Sequence, residues 1–188
     1  SIMTPRGPMR ADALRVGDKV VTRDNGAKEL AWIGQKTLQL SNLIANPELA
    51  PITIAAGALG NGLPERDLTV SPNHRVLMVG EMNRLMFDTS EVLVAAKHLL
   101  GRPGITQSVT NSVTYMHLMF EDHELIMSDG AWTESFQPGE YSLQGVESAQ
   151  RRELLTIFPE LKTDEGLRKY ETARRALRGF ESKLLCAE

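Results

Sequence analysis

Ser71 and His74 are the residues of this chain best placed to do chemistry. They lie in Leu68-Thr69-Val70-Ser71-Pro72-Asn73-His74-Arg75-Val76-Leu77, a hydroxyl and an imidazole across a proline turn between two apolar runs. Proline cannot continue a central strand, so it holds both residues to the turn. There the two side chains can converge on one external carbonyl. One can donate a hydrogen bond and the other can move a proton, which is the equipment of acyl transfer. The plainer alternative is a turn in which Ser71 and Asn73 bond their own backbone.

Two more histidines join the candidates. His117 sits inside an apolar strand pattern, on one face with Tyr115 and Met119, and His123 opens the next strand. Two histidines on adjacent hairpin strands, together with His74, point to a shared pocket. His98, after Ala95-Ala96-Lys97, reads as part of a solvated bend. Three histidines can hold zinc, which makes a metal-dependent hydrolase built on His74, His117 and His123 a rival. Their spacing matches no zinc signature, so neither a metal nor a cofactor is expected.

The elements that must position these residues are mostly strands. Residues 1–145 read as a β-rich domain by alternation and turn punctuation. Lys19-Val20-Val21-Thr22 is the first clear strand, Asp24-Asn25-Gly26 its hairpin turn, and residues 30–34 the return strand. Residues 52–54, 68–70, 76–78, 85–87 and 92–94 read as further strands. Residues 112–120 form the strongest strand pattern, turning at Glu121-Asp122 into residues 123–127 and at Ser128-Asp129-Gly130 into residues 131–136. The glycine-rich stretch 55–64 lacks the Gly-Lys-Ser/Thr ending of a phosphate loop and reads as a connection. Residues 146–188 read as a helical extension of two helices. Leu154, Leu155 and Phe158 mark the first; Leu167, Tyr170, Ala173, Ala176, Leu177, Phe180 and Leu184 mark one apolar stripe of the second. Thr163-Asp164-Glu165 is the start signal of that second helix. The stripe is expected to pack on the β-domain or on a partner chain.

Composition bounds the function. With 188 residues the chain is one domain plus an extension. Hydrophobic residues at 41% and charged residues at 24% are ordinary for a globular protein that buries a core. A net charge of -3 gives no case for nucleic acid or an anionic membrane. No apolar run approaches the ~20 residues of a spanning helix. The single cysteine, Cys186, excludes a disulfide or multi-cysteine metal site within these residues. Residues 1–7 are not a signal peptide, and because they do not begin with methionine the chain is expected to be excised from something longer.

Three ordered blocks carry a resemblance to a known family, the Hint (Hedgehog/intein) autoprocessing domain, especially its bacterial intein-like, non-splicing branch. Ser1-Ile2-Met3-Thr4-Pro5-Arg6-Gly7 with Ala13-Leu14-Arg15-Val16-Gly17-Asp18-Lys19-Val20 resembles the opening block. Ser71-Pro72-Asn73-His74 resembles the Thr-x-x-His block, and residues 113–130 resemble the block before the C-terminal junction. The likeness runs from Ser1 to roughly Phe136 and implies the horseshoe-shaped, mostly β Hint fold. It also implies self-cleavage of a precursor. A Cys or Ser attacks the preceding peptide carbonyl, converting an amide into a thioester or ester. Amide resonance resists this, so the bond must be twisted or polarised. Carried over, His74 is the proton donor to the leaving amine and Ser71 its helper. His117 stands where splicing members carry an assisting Asp, and His123 at the histidine of the same block.

Two departures shape the expectation. By this register Ser1 falls about six residues too late to be the nucleophile, which is expected just upstream; the chain as given is then inert for the first acyl shift. Splicing members end in His-Asn, whose asparagine cyclises, whereas Glu134 and Ser135 stand there in this chain. Cleavage or transfer to water, an amine or a hydroxyl remains; splicing does not. The implied partner is the upstream segment of the chain's own precursor. The rival from another class is a degenerate Hint fold kept as a binding or scaffolding module. Family resemblance associates such domains with secreted bacterial proteins, while the residues themselves specify neither compartment nor oligomeric state.

Overall fold

The computed structural model describes residues 1–138, 151, 152, 154, 155 and 158–185. In chain order it contains β1 (Ile2–Thr4), β2 (Gly7–Met9), β3 (Lys19–Val21), β4 (Ala27–Glu29), β5 (Trp32–Gln39), α1 (Leu40–Ala45), β6 (Ile52–Ile54) and β7 (Leu68–Val70). There follow β8 (Arg75–Val79), α2 (Glu81–Phe87), β9 (Glu91–Ala95), β10 (Ile105–Gln107), β11 (Ser112–Met119), β12 (Leu125–Ser128) and β13 (Ala131–Glu134). Residues 151, 152, 154 and 155 are helical, and with α3 (Asp164–Lys169) and α4 (Gly179–Leu185) they complete the expected mostly β class with its helical end. Among the described residues no helix is long and apolar enough to cross a membrane.

The largest sheet has the order β2-β1-β12-β13-β8-β9, and a second has the order β10-β6-β7. β7 belongs to one and β8 to the other, so residues 71–74 form a corner between sheets. β5 and β11 make an eight-pair antiparallel ribbon whose register sets His117 opposite Gly34. The Asn-Gly hairpin forms as expected between β3 and β4, but its return strand is β4, not residues 30–34. The chain changes partner at that point: Leu30 N–H donates to Asp18 O (2.9 Å), and Ala31 N–H donates to Met119 O (2.9 Å) on the ribbon.

Three other expectations are corrected. Residues 85–87 are the last turn of α2, not a strand. The Asn83 side chain donates to Met78 O (2.9 Å) and Ser90 O (3.1 Å), clamping the helix into the β8–β9 connection. Left-handed Asp88 closes the helix. Leu85, Met86 and Phe87 are all apolar, so the three residue types alone fit a short strand or a helix turn; exposed Leu85 with buried Phe87 fits only the helix. The stripe 167–184 is not one helix. Between α3 and α4 the chain is a strap, residues 170–178, lying parallel to β9. Leu93 N–H donates to Arg175 O (2.8 Å) and Leu177 N–H donates to Leu93 O (2.9 Å). An unpaired sheet edge presents open backbone groups, and pairing with β9 satisfies them better than continuing a helix would. His98 is not on a solvated bend but in a short 3-10 turn, Ala96–His98, half-buried against Gly179 and Ser182 of α4.

The core is divided. One cluster, including Ile52, Ile54, Val76, Val92, Val94 and Leu99, fills the space between the two sheets. A second, including Val20, Leu30, Leu118 and Phe120, lies under the N-terminal hairpins. A third packs Trp32 and Met119 against Leu154, Phe158 and Leu161, so the C-terminal part docks on the β-domain. In that cluster the Trp32 indole folds across Gly34, where an added Cβ would stand 2.7 Å from Cζ2 of the ring. Gly34→Ala is therefore expected to displace the indole and destabilise the fold by about 1–3 kcal/mol, the usual range for overpacking. Denaturant unfolding followed by tryptophan fluorescence checks this; a wild-type midpoint would refute the packing.

Candidate functional site

The corner that carries Ser71 and His74 is held on both flanks. His74 N–H donates to Ser71 O (3.0 Å), closing the turn. Ala96 N–H donates to His74 O and Lys97 N–H donates to Pro72 O, both at 2.9 Å, tying the corner to the turn after β9. Pro72 is buried and Asn73 exposed, while Ser71 and His74 are half-buried. Among the described residues neither the Ser71 hydroxyl nor the His74 ring has a hydrogen-bond partner. Ser71 thus orients His74 through its carbonyl rather than through its hydroxyl.

Beside this corner stands a carboxylate that the sequence reading passed over except as a missing asparagine. Glu134, at the end of β13, is buried. Its Oε1 accepts the Arg75 backbone N–H (2.9 Å) and its Oε2 accepts Arg75 Nη1 (3.0 Å). The same guanidinium nitrogen donates to Gln137 Oε1 (2.9 Å). His123 Nε2 approaches Glu134 Oε2 at 3.5 Å. Burial alone would raise the Glu134 pKa, but the His123 ring and the Arg75 guanidinium outweigh it and hold the carboxyl below its ordinary value. The signal in the sequence was a charged residue inside a strand that otherwise reads as core; such a charge must be paired.

His74 and His117 feel one another's charge, as do His74 and His123. Burial, with the neighbouring Arg75 and His123, lowers the His74 pKa, although Glu134 opposes the shift. Burial, then His74 and Lys36, pushes His117 down to about 4. The His117 ring lies edge-on to Phe136, centroids 4.9 Å apart. Phe136 in turn leans on Trp32 and is fixed by its N–H donating to Leu118 O (2.7 Å). His123 differs from the other two. Its side chain is wholly sealed, and its Nδ1 accepts the Ala173 N–H (2.9 Å). Next to it Glu124 is buried, both its carboxylate oxygens near Asn25 Nδ2 (2.9 and 3.1 Å).

A zinc centre needs three lone pairs aimed at one point. Here one histidine lone pair is occupied by Ala173 and the nearby carboxylate by Arg75. Among the described residues no group of three or more His, Cys, Asp or Glu side chains is arranged to hold a metal ion. What the arrangement offers instead is a neutral imidazole near an ionised, immobilised carboxylate, suited to proton transfer.

A family model described as the Hint domain matches residues 1–140. No curated protein and no solved structure gives a significant match.

The low histidine pKa values have a measurable consequence. A histidine whose folded pKa lies below its ordinary 6.5 binds fewer protons folded than unfolded. Stability therefore falls as pH drops from about 6.5, and for His117 the slope ends near its folded value of about 4. The loss attributable to His117 is expected to be roughly 2–3 kcal/mol. Urea unfolding across this pH range should show the slope reduced in His117→Gln; an unchanged slope would place the titrating group elsewhere.

Proposed function

This chain belongs to the Hint domain family, whose members are known for autoprocessing, and on that premise we propose that it directs cleavage of a peptide bond upstream of Ser1 in its own precursor. The proposed step is an N-to-S or N-to-O acyl shift. The Cys or Ser nucleophile adds to the preceding carbonyl carbon, the C–N bond breaks, and the nitrogen leaves as a free amine. Water, an amine or a hydroxyl then takes the acyl group and returns the thiol or hydroxyl.

The observation that carries this reading is the His74 ring: pinned through its backbone, without a hydrogen-bond partner among the described residues, and kept neutral by burial. A neutral imidazole can accept the nucleophile's proton and deliver it to the leaving nitrogen, so one proton serves both halves of the step. Distance supports the same reading. Ser1 is held at Asp129, its hydroxyl donating to Oδ1 (2.6 Å) and its carbonyl accepting the Asp129 N–H (2.9 Å). His74 stands level with Ser135, one register step past the Arg75–Glu134 pair and three strands across. At ~3.4 Å per residue and ~4.8 Å per strand that gap is roughly 20 Å. About six extended residues span roughly 20 Å, which supports a nucleophile about that far upstream of Ser1.

Splicing has no support in the side chains at its usual terminal positions. Glu134 is engaged by Arg75, and Ser135 Oγ accepts the Glu124 N–H (2.9 Å), so neither offers an amide to cyclise.

In the full-length precursor, His74→Ala is expected to slow cleavage by about 100-fold or more, the usual worth of positioned acid–base catalysis, with little change in thermal unfolding. Cleavage in the wild type should hold down to pH 6.5 and decline only below it, because a protonated His74 cannot take the nucleophile's proton and its pKa is lowered. Mass spectrometry of the fragments reads both. Full-rate processing in His74→Ala removes His74 from the mechanism, a cut at Ser1 itself overturns the register, and an intact precursor favours a degenerate Hint fold that serves as a binding module.

A further inference from the structure

We infer that the C-terminal strap, residues 170–178, completes the site from outside the family-matched span: the Ala173 N–H locks His123 in one tautomer and so holds Glu134 in place beside His74. The functional half of this inference rests on the autoprocessing reading; the tautomer half does not.

The strap is anchored at every stage of its path. The Tyr170 hydroxyl donates to Phe120 O (2.8 Å), and Gln137 Nε2 donates to Tyr170 O (3.3 Å). Arg174 donates to Glu91 Oε2 (2.6 Å) and Asp24 Oδ1 (2.7 Å). Arg175 and Leu177 pair with Leu93 of β9. Ala173 and Ala176 pack against Leu77, Leu93 and Leu125. The Ala173 N–H is therefore delivered to His123 Nδ1 by a framework that includes two ion pairs and a β-bridge.

The consequence follows from the ring itself. A neutral imidazole has one N–H and one lone pair. Because Nδ1 accepts from Ala173, Nε2 carries the hydrogen, and that hydrogen faces the Glu134 carboxylate. At 3.5 Å the approach is an attraction rather than a close hydrogen bond. With the strap's N–H absent, Nδ1 would be a buried acceptor without a donor, which burial penalises. The opposite tautomer would relieve that cost but turn the Nε2 lone pair toward a carboxylate. The strap therefore decides whether His123 attracts or repels Glu134. Glu134, Arg75 and His123 act on the charge of His74, and Glu134 is the one that favours its protonation. His123 and Ala173 are thus positioning residues, acting on His74 through a carboxylate.

Ala173→Pro tests this by deleting the one N–H. Long-range proton–nitrogen NMR spectra of the 15N-labelled chain are expected to show wild-type His123 protonated at Nε2 alone, and the variant with that single tautomer lost. Thr172→Ala, which keeps the Ala173 N–H, should match the wild type. In the precursor, Ala173→Pro is expected to slow cleavage by roughly 10- to 100-fold, as small misplacements at a site do, and to move the acid limb of the pH profile lower. A wild-type His123 protonated at Nδ1, or a variant with unchanged spectrum and profile, overturns the proposal. If Ala173→Pro does not fold, the wild-type spectrum decides alone. A wild-type precursor that never cleaves, with the expected tautomer present, defeats the autoprocessing reading and leaves the lock standing.

Discussion

A buried carboxylate needs partners, and the partners of Glu134 organise this molecule. Burying an ion costs several kcal/mol unless good geometry offsets it. Glu134 meets that demand by accepting both the backbone N–H and the guanidinium of Arg75. Those bonds join β13 to β8 at the point where their ladder ends and where the chain enters the corner of residues 71–74. The position of His74 is thus set by an electrostatic requirement one residue away. The same carboxylate faces His123, so the strap's hydrogen bond to that ring reaches the corner through a single charged group.

The site is assembled from segments far apart in the chain: the corner at 71–75, the ribbon at 117, the turn at 123 and 124, the end of β13 and its continuation to Phe136, and the strap at 173. Each contributes something different. The corner offers an imidazole, His117 of the ribbon packs edge-on to Phe136, and Glu134, His123 and Ala173 follow one another in a buried chain. The divided core suits this division of labour, because each element is stabilised by its own apolar cluster while its edge contributes to the shared site.

Membership of the Hint family frames the proton transfer proposed for His74. It does not by itself explain the C-terminal part. Leu154, Phe158 and Leu161 bury against Trp32 and Met119, and the strap covers the edge of β9. One bridge at Leu93 pairs part of that edge, and the same segment reaches His123.

Strands, the Asn-Gly hairpin, the Ser71–His74 corner and the helical character of the C-terminal end were legible in the sequence, because each depends on contacts within a few residues. Alternation marks a face, proline bars a ladder hydrogen bond, and glycine tolerates a turn. Residues 85–87 were misread because three residues satisfy both periods, and the clamp from Asn83 that selects the helix lies in the tertiary packing. The strap was misread for the same kind of reason: its apolar spacing fits a helix, but the open edge of β9 competes for its backbone. Glu134, Arg75 and Ala173 gave no local sign of acting together, since their partners lie 59 residues apart for Arg75 and Glu134 and 50 for Ala173 and His123. Which charges must be buried together, and which lone pair is left over, is settled only when distant strands close on one another; the sequence by itself determined the parts and their chemistry.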